Sequence, residues 1–233
     1  MVVGATGGVG SAIFDLLSRD STYASVLPTS RSRESRGGTP YVYLDVTDEA
    51  SIARAAERCR RRDGLDLVIV ASGILHDVPA WGPEKSWSDI DPDNLARSFA
   101  VNCTGPALVA KHFLPLLATD RRAVFAALAA RVGSIGDNRL GGWYAYRASK
   151  AALAMTIRTL AIELRRKAPE AICIGLHPGT VDTHLSGPFQ SRVPEGRLFE
   201  PRFAAQKLLR VVAGAQPEDS GNVIAWDGQT IAP

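Results

Sequence analysis

Apolar residues in this 233-residue chain fall into two alternating patterns. Leu65–Val70, Ala123–Leu128 and Ala171–Leu176 are short and almost wholly apolar, as strands are when a parallel sheet is covered on both faces. Between them lie longer stretches whose apolar positions return every three or four residues, the spacing that gives a helix one buried side. Ile13, Leu16 and Leu17 mark the first such helix, Ser51–Arg62 the second, Asp93–Leu117 a long third, Ala145–Lys167 a fourth and Pro201–Val212 the last. Polar Asn102 stands out in the apolar centre of the third, where it can be a satisfied core Asn or a cap at a helix kink near Gly105 and Pro106. Thr47-Asp48-Glu49 supplies a start signal for the second. Ala24–Thr29, Tyr41–Asp45 and Asn222–Trp226 read as further strands. Met1-Val2-Val3 reads as the first, shorter than a central strand usually is before its loop. Strand alternating with helix from end to end predicts one α/β domain over residues 1–233. The expected form is a Rossmann-type doubly wound parallel sheet of about seven strands, with helices on both faces. No internal repeat, low-complexity tract or long linker divides it.

Composition changes this picture little. The chain is 45% hydrophobic and 22% charged with a net charge of +3, ordinary for a globular protein and no argument for nucleic-acid binding. The basic run Arg58-Cys59-Arg60-Arg61-Arg62 ends a helical pattern, where it complements the helix C-terminus. Cys59, Cys103 and Cys173 are too few and too scattered for a disulfide framework or a metal knot, which suits a reducing compartment. No apolar run approaches the ~18 residues of a membrane span, and no basic-then-apolar leader opens the chain. A cytoplasmic location is the expectation.

The chemistry gathers in three places. Gly4-Ala5-Thr6-Gly7-Gly8-Val9-Gly10 joins the first strand to the first helix. Glycines let a backbone turn tightly against a pyrophosphate that faces a helix N-terminus, although such a turn can also simply join two elements. The second strand ends in Thr29-Ser30-Arg31-Ser32-Arg33, where an NAD site would carry an acid for the ribose 2′-hydroxyl. Hydroxyls and arginines stand there instead and suit a 2′-phosphate, with a solvated loop as the alternative. NADP(H) is therefore favoured over NAD(H), with Arg31 as the reader of the phosphate and Arg33 behind it. Tyr146 and Lys150 stand four apart on the fourth helix and share a face. An ammonium near a phenol lowers its pKa and makes an acid or base usable near neutral pH. The same pair also occurs on ordinary amphipathic helices, with the ring packed and the amine in water.

These pieces together resemble the short-chain dehydrogenase/reductase family over almost the whole chain. The markers are Gly4-x-x-x-Gly8-x-Gly10, Asp45-Val46, Ala71-Ser72-Gly73, Asn102, Tyr146-x-x-x-Lys150 and Pro178-Gly179-x-Val181-x-Thr183. Ile74-Leu75-His76, Gly141-Gly142-Trp143-Tyr144 and Ala225-Trp226-Asp227-Gly228 further resemble the C-factor and sniffer-type carbonyl reductase branch. The resemblance implies an oxidoreductase moving hydride between nicotinamide and a carbonyl or alcohol. It implies that Gly4, Thr6, Gly8, Val9 and Gly10 form the phosphate loop, and that Asp45 meets the adenine amino group with Val46 beside it. Ala71, Ser72 and Gly73 would lie along the ribose and pyrophosphate. Lys150 would bind the nicotinamide ribose and depress the pKa of Tyr146, the proton donor. Asn102 would hold a relay water, and Pro178, Gly179, Val181 and Thr183 would position the nicotinamide ring. Relatives pair into dimers or tetramers through the helices at Asp93–Leu117 and Ala145–Lys167, so a homo-oligomer is expected.

The chain departs from that pattern. Where the family has Ser-Ser-x-x-Gly after the fifth strand, with a catalytic serine, this chain reads Ala129-Ala130-Arg131-Val132-Gly133. Ser134, twelve before Tyr146, either supplies the missing hydroxyl or is a turn residue. The family usually has an Asn before the Ala-Gly of its fourth-strand turn, and here Val70-Ala71 precedes Ser72-Gly73. A dinucleotide-binding regulatory or signalling protein with weak or vestigial catalysis is therefore the alternative to an enzyme. Leu185–Phe199, rich in Gly, Pro and Arg, is expected to be a substrate lid.

Overall fold

The computed structural model describes residues 1–32, 35–36, 38–60, 62–77 and 81–233. Strands β1 (Val2–Val3), β4 (Leu67–Val70), β5 (Ala123–Leu128), β6 (Ala171–His177) and β7 (Val223–Ala225) form a five-stranded sheet in the order β1-β4-β5-β6-β7. Every pairing in it is parallel, with Val2 opposite Ile69, Leu67 opposite Val124, Ala123 opposite Ala171 and Val223 opposite Gly175. Strands β2 (Thr29–Ser30) and β3 (Val42–Tyr43) pair in parallel beside β1. Val2 bridges to Pro28 and donates to the Leu27 carbonyl at 2.9 Å, and Ala5 donates to Thr29 at 3.0 Å. The spatial order is therefore β3-β2-β1-β4-β5-β6-β7. The chain reverses direction across the sheet between β1 and β4, which places a ligand crevice at the carboxyl ends of those strands.

Alternate residues of the central strands feed two cores. Leu67, Ile69, Val124, Ala126, Ile172 and Ile174 pack with Ile13, Phe14 and Leu17 of α1 (Gly8–Leu17) and Leu208 and Val212 of α6 (Pro201–Gly214). Val68, Val70, Phe125 and Cys173 pack on the other face. Ile52 of α2 (Glu49–Cys59) covers them there with Val109 and Phe113 of α4 (Gly105–Phe113), and Leu153 and Ile157 of α5 (Tyr144–Lys167). Burial on both sides is why these strands carry no polar alternation.

Three elements depart from the sequence reading, the first being the Tyr41–Asp45 strand, which is reduced to Val42–Tyr43. The Ala24–Thr29 strand is reduced to Thr29–Ser30, because Pro28 has no N–H to give the ladder. The Asp93–Leu117 helix is one rod with a change of winding: α3 (Pro92–Phe99), a π turn at Ala100–Thr104, α4, and a 3₁₀ turn at Leu114–Leu116. Pro106 lacks the N–H that an α-helix would direct at the Asn102 carbonyl, and the helix widens there. Gly105 lets this turn approach α2's loop, since a Cβ on it would lie 2.8 Å from Val46 Cβ. Among the described residues no helix is long and apolar enough to cross a membrane. On α5, Met155 and Ile162 are exposed seven residues apart, on one side of the helix expected to pair copies.

Candidate active site

A cleft of about 320 Å³ opens at the carboxyl ends of β1, β2 and β4. Gly4, Thr6, Arg31, Asp45, Val46, Ala71, Ser72 and Gly73 line it, with His76, His184 and Leu185 at one end. The glycine loop is built for close approach. Gly4 has φ +78, and a Cβ there would sit 3.1 Å from the Ser72 nitrogen. A Cβ on Gly10 would fall 2.3 Å from the Gly4 carbonyl oxygen, so the loop can fold back on its own helix only without a side chain. Gly8 and Gly10 do not line the cleft, and Val9 packs against the core. Gly8 instead begins α1, whose N-cap Gly7 offers no side-chain acceptor, and leans on Thr183. That leaves first-turn N–H groups for an anion.

At the other end of the loop pair, Ser30 Oγ and Ser32 Oγ lie 2.8 Å apart and shape the turn that carries Arg31. Arg31 is exposed and faces the cleft beside Leu44, Asp45 and Thr47. Among the described residues no carboxylate pairs with it. Arg33 lies outside the described residues. Asp45 Oδ1 accepts from the Thr47 nitrogen at 2.9 Å and the Thr47 hydroxyl at 2.8 Å, which fixes the carboxylate at the cleft wall. Ser72 Oγ is buried without a partner among the described residues. An orphaned hydroxyl in the wall, beside a cradle that admits only glycine, fits a ligand bearing ribose hydroxyls and phosphates.

Gly73 connects the cleft to the reactive pair. A Cβ on it would lie 3.5 Å from Asn102 Oδ1 and 3.7 Å from Lys150 Nζ. Lys150 is 4% exposed and donates from Nζ to the Leu128 carbonyl at 2.7 Å. Its nitrogen stands 5.8 Å from the centre of the Tyr146 ring. Burial pushes the Lys150 ammonium down to about 8. Desolvation pushes the phenol of the half-buried Tyr146 up to about 12. The shift of the phenol thus runs opposite to the one expected from sequence, because the ammonium is held by Leu128 over the ring rather than at the hydroxyl and dehydration prevails.

Asn102 is fully buried in the π turn. Its Oδ1 accepts from the Ile74 nitrogen at 2.8 Å, and its Nδ2 donates to the Ile74 carbonyl at 2.8 Å and to Ser149 Oγ at 3.1 Å. The side chain is a clamp joining β4's turn to α5, with both of its N–H donors engaged. Ser134 is also engaged elsewhere. Its Oγ accepts from the Asp137 nitrogen at 3.1 Å and donates to the Pro233 carbonyl at 3.4 Å. The structure places it as a turn residue.

Beyond β6, Gly179 takes φ +77 where a Cβ would strike Phe199 at 2.6 Å. Pro178 is half-buried just before it, and Val181 is buried in a short strand paired with Leu198–Phe199. Thr183 Oγ1 donates to the Val181 carbonyl at 3.4 Å while its methyl faces Gly8. A row of rings leads from this segment to Tyr146. His184 lies 5.3 Å from His76, His76 5.7 Å from Phe189, Phe189 5.1 Å from Trp143, and Trp143 6.2 Å from Tyr146. The members come from three distant loops, so the sequence marked several of them without showing that they meet.

His177, the last residue of β6, accepts from the Arg131 nitrogen at 3.4 Å. Burial holds its imidazole down at about 4, with Arg131 adding to the effect and Asp227 opposing it. The unfolded chain therefore binds the extra proton between about pH 6.5 and 4, and folding stability falls as pH drops through that window. Between pH 7 and 5 the loss should be about 2 kcal/mol. Urea midpoints at the two pH values test this, and His177→Asn should flatten the difference. An unchanged difference in that variant would assign the pH dependence to another group.

Comparison with known proteins places these features. A family model described as enoyl-(acyl carrier protein) reductase matches residues 15–226. The C-signal protein of Myxococcus xanthus is 37% identical over 159 residues, covering 68% of this chain and 90% of that protein. An uncharacterized oxidoreductase of Schizosaccharomyces pombe is 30% identical over 254 residues, covering 100% and 96%. An NADPH-bound carbonyl reductase from chicken fatty liver superposes with a TM-score of 0.86 at 26% identity, covering 100% of this chain and 93% of that one.

Proposed function

The chain belongs to the short-chain dehydrogenase/reductase family, and from that premise we propose that it is an NADP(H)-dependent reductase of carbonyl groups with Tyr146 as the proton donor. It is an oxidoreductase of the carbonyl-reductase kind, and structural relatives carry NADPH or NADP in the corresponding fold. The observation that carries the proposal is the meeting of Tyr146, Lys150 and the Asn102 clamp at Gly73, where the nucleotide cleft ends. NADPH, when bound, supplies the hydride. Gly4, Thr6, Ser72 and Gly73 would hold its phosphates and riboses, Asp45 and Val46 its adenine, and Arg31 its 2′-phosphate.

The remaining chemistry belongs to side chains. The phenol of Tyr146 keeps its proton at neutral pH, because burial favours the neutral form, and so presents an acid to an incoming carbonyl oxygen. Lys150, held by the Leu128 carbonyl over the Tyr146 ring, would lend a positive charge to the site as the phenol gives up its proton. Trp143, Phe189 and His76 wall the approach with rings and limit water. Leu185–Phe199 covers this approach in our reading; it contains the 3₁₀ turn Gly187–Arg192. Oxidation of NADPH with a panel of ketones, aldehydes and quinones tests the activity.

Arg31 gives a direct test of the cofactor. Replacing it by Ala should weaken NADPH by about 10-fold or more, as removal of a charge-assisted phosphate contact does, and NADH by less than about twofold. Equal weakening of both in fluorescence titrations would show that Arg31 does not read the 2′-phosphate.

One set of observations favours a second reading, a nucleotide-binding regulatory protein with vestigial catalysis. Alanines stand at 129 and 130, and the Ser134 hydroxyl is held in its turn. A chain that binds NADPH but reduces nothing in the panel would support that reading over the first.

A further inference from the structure

We propose that Glu84 is the positioning residue of this site, capping the catalytic helix from outside so that Tyr146 starts in place. The proposal rests on the reading that Tyr146 and Lys150 carry the chemistry. Helix α5 has no cap of its own: its N-cap residue is Trp143, with no side-chain acceptor, and no acidic residue lies in its first turn. Its leading N–H groups need acceptors from elsewhere. Glu84, sixty-one residues earlier in the chain, supplies two of them. Its Oε2 accepts from the Ala145 nitrogen at 3.1 Å, and its main-chain carbonyl accepts from the Trp143 nitrogen. The carboxylate is 4% exposed and sits at the positive end of the helix, where a negative charge is favoured.

The turn that Glu84 holds is unusual. Gly141, Gly142 and Trp143 all have positive φ, at 63, 63 and 53, and Trp143 pays a steric penalty that glycine does not. Arg147 braces this turn from the helix side, its Nε donating to the Gly141 and Gly142 carbonyls at 3.2 and 3.0 Å. Glu84 braces it from the other side. Its own backbone is fixed in turn, because Asp89 Oδ2 accepts from the Lys85 and Ser86 nitrogens at 3.1 and 3.0 Å. The result is a rigid origin for α5 one residue before Tyr146. Trp143, set by the same bond, meets the Tyr146 ring edge-on at 6.2 Å. A shift of the helix start moves the phenol without touching the nucleotide cleft, in which Glu84 has no part.

Reach and charge can be separated. Glu84→Gln keeps an acceptor oxygen at the same length without the charge, and Glu84→Asp keeps the charge but falls short of Ala145. The measurements are kcat and KM for a carbonyl the parent reduces, NADPH affinity by fluorescence, melting temperature, and amide hydrogen exchange at Ala145. Glu84→Asp should lower kcat about 10-fold or more, in line with the cost of small misplacements in active sites, with NADPH affinity within about twofold and faster exchange at Ala145. Glu84→Gln keeps the acceptor at Ala145 but puts its amide NH2 where Oε1 lies buried without a partner among the described residues, so it should lower the melting temperature while keeping kcat within about threefold and Ala145 protected. Glu84→Met, of similar length without the acceptor, takes the place of Asp if that variant does not fold. Parental kcat in Glu84→Asp overturns the proposal. So does an equal loss in Gln and Asp, or a loss of NADPH affinity as large as the loss of kcat. If the parent reduces no carbonyl, the functional reading fails by itself, and exchange at Ala145 still decides the cap: no difference between Gln and Asp overturns it.

Discussion

Tyr146→Phe should lower kcat by about 10³-fold, within the range that a positioned general acid contributes, and leave NADPH affinity and melting temperature nearly unchanged. The substitution removes only the hydroxyl. Among the described residues no protein group is hydrogen-bonded to that hydroxyl, so its loss strands no donor or acceptor. The ring keeps its edge contact with Trp143 and its place beneath the Lys150 ammonium. Tyr144→Phe is the control. Tyr144 stands six residues from Lys150, which on a helix turns it away from the Lys face, so turnover should stay within about threefold. The phenol's direction of shift adds a second readout. Burial holds it at about 12, so carbonyl reduction, which needs the protonated form, should not fall as pH rises from 6 to 8 for want of that proton. Alcohol oxidation needs the phenolate and should rise with pH across the same interval. Near-parental turnover in Tyr146→Phe, on a substrate the parent reduces, would move the proton donor to another residue.

The apolar runs of β4, β5 and β6 and the helix periods were legible because both reflect local spacing. The Tyr146–Lys150 pair was legible for the same reason: four residues on a helix fix a common face. What escaped was set by contacts between distant segments. The direction of the phenol shift depends on how much water the fold removes and on Leu128 taking the ammonium, and neither is written at positions 146 and 150. Ser134 is held both by the Asp137 nitrogen three residues on and by the Pro233 carbonyl ninety-nine residues away, and only the first belongs to a local turn. Asn102 could be marked as an anomaly in an apolar helix, but its clamp on Ile74 needed the β4 turn in place. Gly105 and Pro106 marked a possible kink, but that it takes the form of a π turn over Ala100–Thr104 was not readable from the sequence. Glu84 had no signal, being a single acid in a Pro- and Trp-containing loop whose partner helix begins sixty residues on.

The vacant serine position gives the second large effect. Of the two alanines after β5, Ala129 faces the core: it is 5% exposed and its Cβ lies 3.2 Å from where a Cβ on Gly175 would stand. Ala130 is half-buried in extended backbone at φ −150, ψ 142, opening the Arg131–Gly133 turn. It lies two residues beyond Leu128, whose carbonyl holds Lys150. We propose Ala130 as the position from which a hydroxyl would reach a substrate oxygen beside Tyr146. Ala130→Ser should raise kcat for carbonyl reduction by about 10²-fold, the scale of one oxyanion donor, with NADPH affinity unchanged. Ala129→Ser should instead lose about 1–3 kcal/mol of stability by burying an unpaired hydroxyl, and gain no rate. A steady-state comparison of the two variants, with melting temperatures alongside, decides the matter. If Ala130→Ser folds, binds NADPH and reduces its substrate no faster than the parent, the chain already places another donor on that oxygen. If a parent without turnover acquires it with this one hydroxyl, the site holds every other element of a reductase and the parent's role is in binding the nucleotide.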